Sequence, residues 1–172
     1  MNDKKFPIGK YQPPETITQD FILQSIHEIA LLPSKLEKVV SKMNTLHYDQ
    51  PYRPGSWTVR QVLYHIGDSH LSSYVRFKWA LTEENPIIKA YDQDGWGSTH
   101  DSINSDVEDS MEFITILHKR WSALLKGLSK REWDRTFTHP EMKRQMTLKW
   151  TAGLYAWHGN HHLAHMKIVL EG

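Results

Sequence analysis

Four stretches of the chain repeat apolar residues at helical spacing, and no segment alternates long enough to predict a strand. Stripes of that kind are buried by packing helix on helix, so the pattern predicts an all-α fold, a four-helix bundle. The first stretch covers residues 18–43, with Phe21, Ile22, Ile26, Ile29 and Leu36 among its apolar positions. Pro33 should kink it or split it in two. The second opens at Thr58-Val59-Arg60-Gln61, a capping box in which hydroxyl and amide satisfy orphan backbone donors. Its stripe of Val59, Val62, Leu63 and Ile66 should continue to about Leu81. The third opens at a second candidate box, Ser105-Asp106-Val107-Glu108, and carries Met111, Ile114, Leu117, Trp121 and Leu125. The fourth starts near Thr147, with Thr151, Leu154, Tyr155 and His158 in its stripe.

Between the second and third stretches lies a long connection, residues 83–104, holding Pro86, Gly95 and Gly97. Connections of this length are uncommon unless they cover a site or cross the end of a bundle. A short extra helix is expected around residues 129–135. Residues 1–15 carry Pro7, Pro13 and Pro14 and read as an extended arm; residues 16–172 then form one domain.

The chain's 172 residues suffice for a sizeable core. Lys+Arg number 21 and Asp+Glu 20, without the clustered basic excess that nucleic-acid binding requires, so no nucleic-acid partner is expected. The absence of cysteine excludes disulfides, a thiol nucleophile and thiolate metal sites. No run approaches the ~18 apolar residues of a membrane span, and the N-terminus lacks the apolar core of a signal peptide. The expected compartment is the cytoplasm.

Histidine stands apart: there are 11, with His158, His161, His162 and His165 close together in the last helix. At 100° per residue these four fall within an arc of roughly 100° and prolong the stripe of Leu154 and Tyr155. Buried imidazoles must find partners or lose about 1–3 kcal/mol each, and a metal ion satisfies two or three together. Side chains at i and i+4 converge on one ion, so His158/His162 and His161/His165 both qualify; angles alone leave the choice open. No glutamate follows His158, so the HExxH arrangement of zinc proteases is absent.

A mononuclear catalytic site usually takes a third protein ligand and keeps one position open. His65 and His70 in the second helix are the first candidates, then His27, His47, His100, His118 and His139. His70 falls inside the apolar stripe, whereas His65 lies roughly 110° from its centre, so periodicity prefers His70.

Three long segments carry a family resemblance: FPIGKYQPPE, PYRPGSWTVRQVLYHIGDSHLSSYVRFKWALTEENPIIKAYDQDGW and GLYAWHGNHHLAHM. Through them nearly the whole chain resembles the DinB/YfiT-like four-helix-bundle proteins, specifically the YfiT-type metal-dependent hydrolases of bacilli. The resemblance implies a metal site made by His65, His158 and His162, one zinc or nickel ion per chain, and a homodimer. His161 and His165 then become neighbours of the site or satisfied polar groups. On this reading His65→Ala should lose the ion and His70→Ala should keep it; periodicity implies the reverse.

Three functions use such a site. A metal-dependent hydrolase would activate water and act on a small-molecule substrate. A transferase would activate a low-molecular-weight thiol of the bacillithiol type at the same open position. A non-enzymatic metal-binding stress protein would close the site with His161 or His165. Asp68, one turn beyond His65, is either a base or a solvated position. Arg76 is expected in a surface ion pair, with an anionic substrate as the alternative. Trp57 and Trp121 are expected in the core, and Trp96 either in packing or at a pocket mouth.

Overall fold

A computed structural model describes residues 4–172. Four long helices dominate it: α1 (Gln19–Val40), α3 (Val59–Thr82), α6 (Val107–Lys126) and α8 (Leu148–Glu171). Short helices α2 (Thr45–Tyr48), α4 (Gln93–Trp96), α5 (His100–Asn104) and α7 (Lys130–Trp133) sit in the connections. A small antiparallel hairpin, β1 (Thr136–His139) and β2 (Arg144–Thr147), precedes α8. Four residues per strand are too few for alternation to register in the sequence, and the rest of the fold is the expected four-helix bundle.

Local chemistry explains most boundaries. Thr58 and Gln61 form the expected capping box at the start of α3, and Thr147 caps α8 by accepting from the Trp150 amide. The expected box at Ser105 does not form. Ser105 instead ends α5, its carbonyl accepting a hydrogen bond from Arg60 at 2.6 Å, and α6 begins after Asp106. Pro33 does not split α1, which runs through it as one helix.

The long helices form a ring in which α1 touches α6 and α8, and α3 touches the same two. Helices consecutive in the chain, α1 with α3 and α6 with α8, therefore stand diagonally across the bundle. Their connections must cross its ends. The core falls into two apolar clusters. One gathers Ile22, Ile29, Phe77, Trp121, Phe137 and Tyr155, and the other Leu32, Leu36, Leu63, Ile66, Ile114 and Met166. Along each of α3, α6 and α8, buried histidines lie between the residues of one cluster and those of the other.

Helix α8 is covered on more than its bundle face. The N-terminal segment lies along it, with the Tyr11 hydroxyl donating to the Trp150 carbonyl and Phe6 against the His161 ring. On the α1 side, a Cβ at Gly159 would stand 2.5 Å from Leu32 Cδ2, and Leu32 is itself buried. The overpacking cost of about 1–3 kcal/mol exceeds the roughly 1 kcal/mol that alanine gains in helix propensity. Gly159→Ala should therefore lower stability in chemical denaturation. A stabilised variant would show that α1 can retreat freely from α8.

Candidate metal centre

Helix α3 contributes His65 and helix α8 contributes His158 and His162, one helical turn apart. One ring nitrogen from each lies within 4.8 Å of the other two. The Nε2 atoms of His65 and His158 are 3.2 Å apart. At ~2.0–2.1 Å from a shared ion, two nitrogens at that separation subtend an angle of about 100°, which suits a divalent metal. His65 and His162 are buried, while His158 keeps part of its surface open.

Burial also sets the charge. It pushes His65 down to about 4, with a smaller contribution from His161. Burial first, and neighbouring histidines second, hold His158 and His162 well below the usual imidazole value. All three are neutral at pH 7, the form that binds metal.

His161, His162 and His165 make a second group on the same criterion, sharing His162 with the first. His165 Nε2 lies 3.3 Å from the Lys5 carbonyl, which can only accept, so Nε2 carries the proton. The bare His165 Nδ1 faces His162 Nδ1 at 3.4 Å, a long contact to which His162 supplies its own N–H. Neutral His162 then has a single lone pair, on Nε2, and cannot serve both groups. His161 stacks on Trp157 at 4.6 Å between ring centroids, and its buried Nδ1 has no partner among the described residues.

The other candidates separate cleanly. His70 is fully buried, as periodicity predicted, but it meets a histidine of the first group: its Nε2 lies 3.0 Å from His158 Nδ1. His65 is also buried, at 3% exposure, because α3 packs on α6 along one side and on α8 along another. A single apolar stripe marks one of these two inward edges. His118 is buried against His70, with 2.9 Å between His118 Nε2 and His70 Nδ1. His47 belongs to the capping box of α2, His27 and His100 are exposed, and His139 sits in the hairpin.

Around the histidines, Trp57 is partly buried against the second apolar cluster, as expected, and also packs on the His65 ring at 4.5 Å. Tyr91, from the long connection, places its hydroxyl 3.5 Å from His65 Nδ1, and the exposed Trp96 packs on Tyr91. No sequence signal had singled out Tyr91. Asp68 is half-buried, and burial, then Asp101, raises its carboxyl to about 6. Arg76 departs from expectation. It is 7% exposed and in no ion pair among the described residues, its guanidinium donating to the Tyr155 hydroxyl at 3.4 Å. A groove of about 800 Å³ along α1 and α6 contains none of these histidines.

The family model described as the DinB superfamily matches residues 28–166. The chain belongs to the DinB superfamily. It is 44% identical over 161 residues to YfiT of Bacillus subtilis, covering 94% of this chain and 90% of that protein. A relative from Oceanobacillus iheyensis is 46% identical over 166 residues, covering 96% and 95%. Both carry the name "putative metal-dependent hydrolase". The solved structure of YfiT superposes with a TM-score of 0.93 at 42% identity, covering 96% of this chain and 95% of that one. It is described as "a probable metal-dependent hydrolase with an unusual four-helix bundle topology". A mycothiol-dependent maleylpyruvate isomerase shares the fold, with a TM-score of 0.69 at 13% identity, over 84% of this chain and 60% of that one.

Burial of so many imidazoles sets the acid stability. His65, His118, His161 and His165 are each depressed to about 4, and burial holds His70, His158 and His162 well below the usual imidazole value. An unfolded histidine titrates near ~6.5, so between pH 6.5 and 4 the unfolded chain binds protons that the native chain refuses. Stability conferred by these groups is full above pH 6.5 and is lost as pH falls toward 4. Asp68, raised to about 6, acts in the opposite sense, losing stability as pH rises, but it is one group against seven. Denaturant titrations of metal-free protein should thus show stability falling steeply from pH 6.5 to 4. A flat profile there would mean that the histidines are not buried neutral.

Proposed function

We propose that the chain is a metal-dependent hydrolase in which His65, His158 and His162 hold one divalent ion, zinc or nickel. The observation that carries this reading is the convergence of three neutral imidazoles from two helices, one of them partly exposed. The names of the relatives support it. An ion bound there supplies Lewis acidity, which acidifies water toward neutral pH and polarises a substrate carbonyl.

The chain's own residues supply the rest. The partly exposed surface of His158 gives a small molecule its approach, while Trp57 and Tyr91, with Trp96 behind it, flank the centre on the His65 side. Asp68, one turn beyond His65 and with its carboxyl near 6, can hold or release a proton close to neutral pH. Arg76 lies three turns from His65 on the same face of α3. A buried guanidinium cannot shed its charge, and this one has no carboxylate partner among the described residues. The Tyr155 ring beside it packs on His158 at 5.5 Å between centroids. These contacts favour a substrate that carries an oxyanion group, held by Arg76 away from the bond that breaks.

Protein purified without an immobilised-metal column should carry about one divalent ion per chain by elemental analysis. His65→Ala, His158→Ala and His162→Ala should each lose it. A panel of neutral and carboxylate-bearing esters and amides should then reveal chelator-sensitive hydrolysis, with Arg76→Gln erasing any preference for the anionic members. Failure of the wild type to take up metal would sink the reading. Conjugation of a low-molecular-weight thiol, without hydrolysis, would replace it with the transferase.

A further inference from the structure

We infer that Pro33, His118 and His70 form a positioning line that fixes which nitrogen of His158 faces the metal centre. The line begins with what a proline lacks. Pro33 lies inside α1 and has no N–H, so the carbonyl four residues back, that of Ile29, loses its usual helical donor. Ile29 is 1% exposed, where water cannot substitute freely. The donor that replaces it is His118 Nδ1, on α6, 2.6 Å from the Ile29 oxygen.

A carbonyl only accepts, and this one-way end orients everything behind it. His118 must carry its proton on Nδ1, and as a neutral ring it then has a bare Nε2. That atom stands 2.9 Å from His70 Nδ1, on α3, so His70 donates from Nδ1 and is bare at Nε2. His70 Nε2 stands 3.0 Å from His158 Nδ1, on α8, so His158 donates in turn. The one lone pair left on His158 is that of Nε2, which faces His65 Nε2 at 3.2 Å. Each of the four long helices contributes one group to the line. Hydrogen bonds to the far nitrogen of a metal-binding histidine fix its tautomer and orientation and raise its basicity. Here a run of imidazoles ending on a proline-freed carbonyl does what a single carboxylate or carbonyl does elsewhere.

The consequence for metal affinity rests on the proposed ligand role of His158; the tautomers themselves do not. Long-range nitrogen–proton NMR of ¹⁵N-labelled, metal-free wild type near pH 7.5 should show the Nδ1–H tautomer at His118, His70 and His158 together. Finding His158 protonated on Nε2 instead would overturn the line, and this measurement needs no variant. Chelator competition with zinc gives a second readout. His118→Phe touches none of the three proposed ligands, yet should weaken zinc binding by about 10–100-fold, whereas His27→Ala on the surface should not. Unchanged affinity in folded His118→Phe would overturn the positioning role. Pro33→Ala restores an N–H that competes for the Ile29 carbonyl, so it should weaken zinc binding although it improves the helix; an unchanged affinity would remove Pro33 from the line. If wild type takes up no zinc, the hydrolase reading fails while the NMR result still judges the tautomers.

Discussion

The structure depends on a layer of imidazoles placed where a bundle would ordinarily be greasy. His70, His118, His161 and His162 are buried and His158 is partly so, in a position that separates one apolar cluster from the other, with His65 and His165 buried beside them. Each ring brings two nitrogens that must be matched in a low-dielectric interior, where an unmatched polar group costs about 1–3 kcal/mol. The matches run between helices: His70 to His118 and to His158, His118 to Ile29, His65 toward His158. Apolar packing tolerates some sliding of one helix on another, whereas hydrogen bonds of 2.6 to 3.0 Å do not.

That layer places two demands on the rest of the chain. The first is cover. Helix α8 carries four histidines and is buried on several sides, so the bundle alone cannot shield it. The segment before α1 completes the shielding: the Lys5 carbonyl reaches His165, Phe6 meets His161 and Tyr11 bonds to the Trp150 carbonyl. The second demand is a way in. The long connection between α3 and α6 delivers Tyr91 beside His65 and Trp96 beside Tyr91, so one crossing of the bundle end also borders the proposed site.

Charge is distributed with similar economy. Neutral imidazoles cannot offset a bound cation, and Arg76 adds a buried positive charge without a carboxylate partner among the described residues. Asp68 is held near 6 by burial and by Asp101. The neighbourhood therefore favours negative charge arriving with a ligand, in keeping with the proposed substrate class. Membership of the DinB superfamily, and the name that YfiT and the Oceanobacillus relative carry, agree with the proposed metal-dependent reaction on such a scaffold.

The sequence by itself determined the four helices, because apolar spacing and the Thr58–Gln61 box are local signals that no distant contact needed to supply. It also determined that α8 carries convergent histidines, since i and i+4 spacing is a property of the helix. The family resemblance named His65, and periodicity correctly placed His70 inside; both residues are buried and each touches His158. His70 also meets His158 at 3.0 Å, a contact that periodicity could not supply. Other features were decided only in three dimensions: the diagonal placement of α1 against α3, the burial of Arg76, the approach of Tyr91, and the meeting of Ile29 with His118. The physical reason is range. Periodicity reports which side of one helix avoids water, but a helix packed against two neighbours has two inward edges, and only the packed bundle specifies what each edge meets.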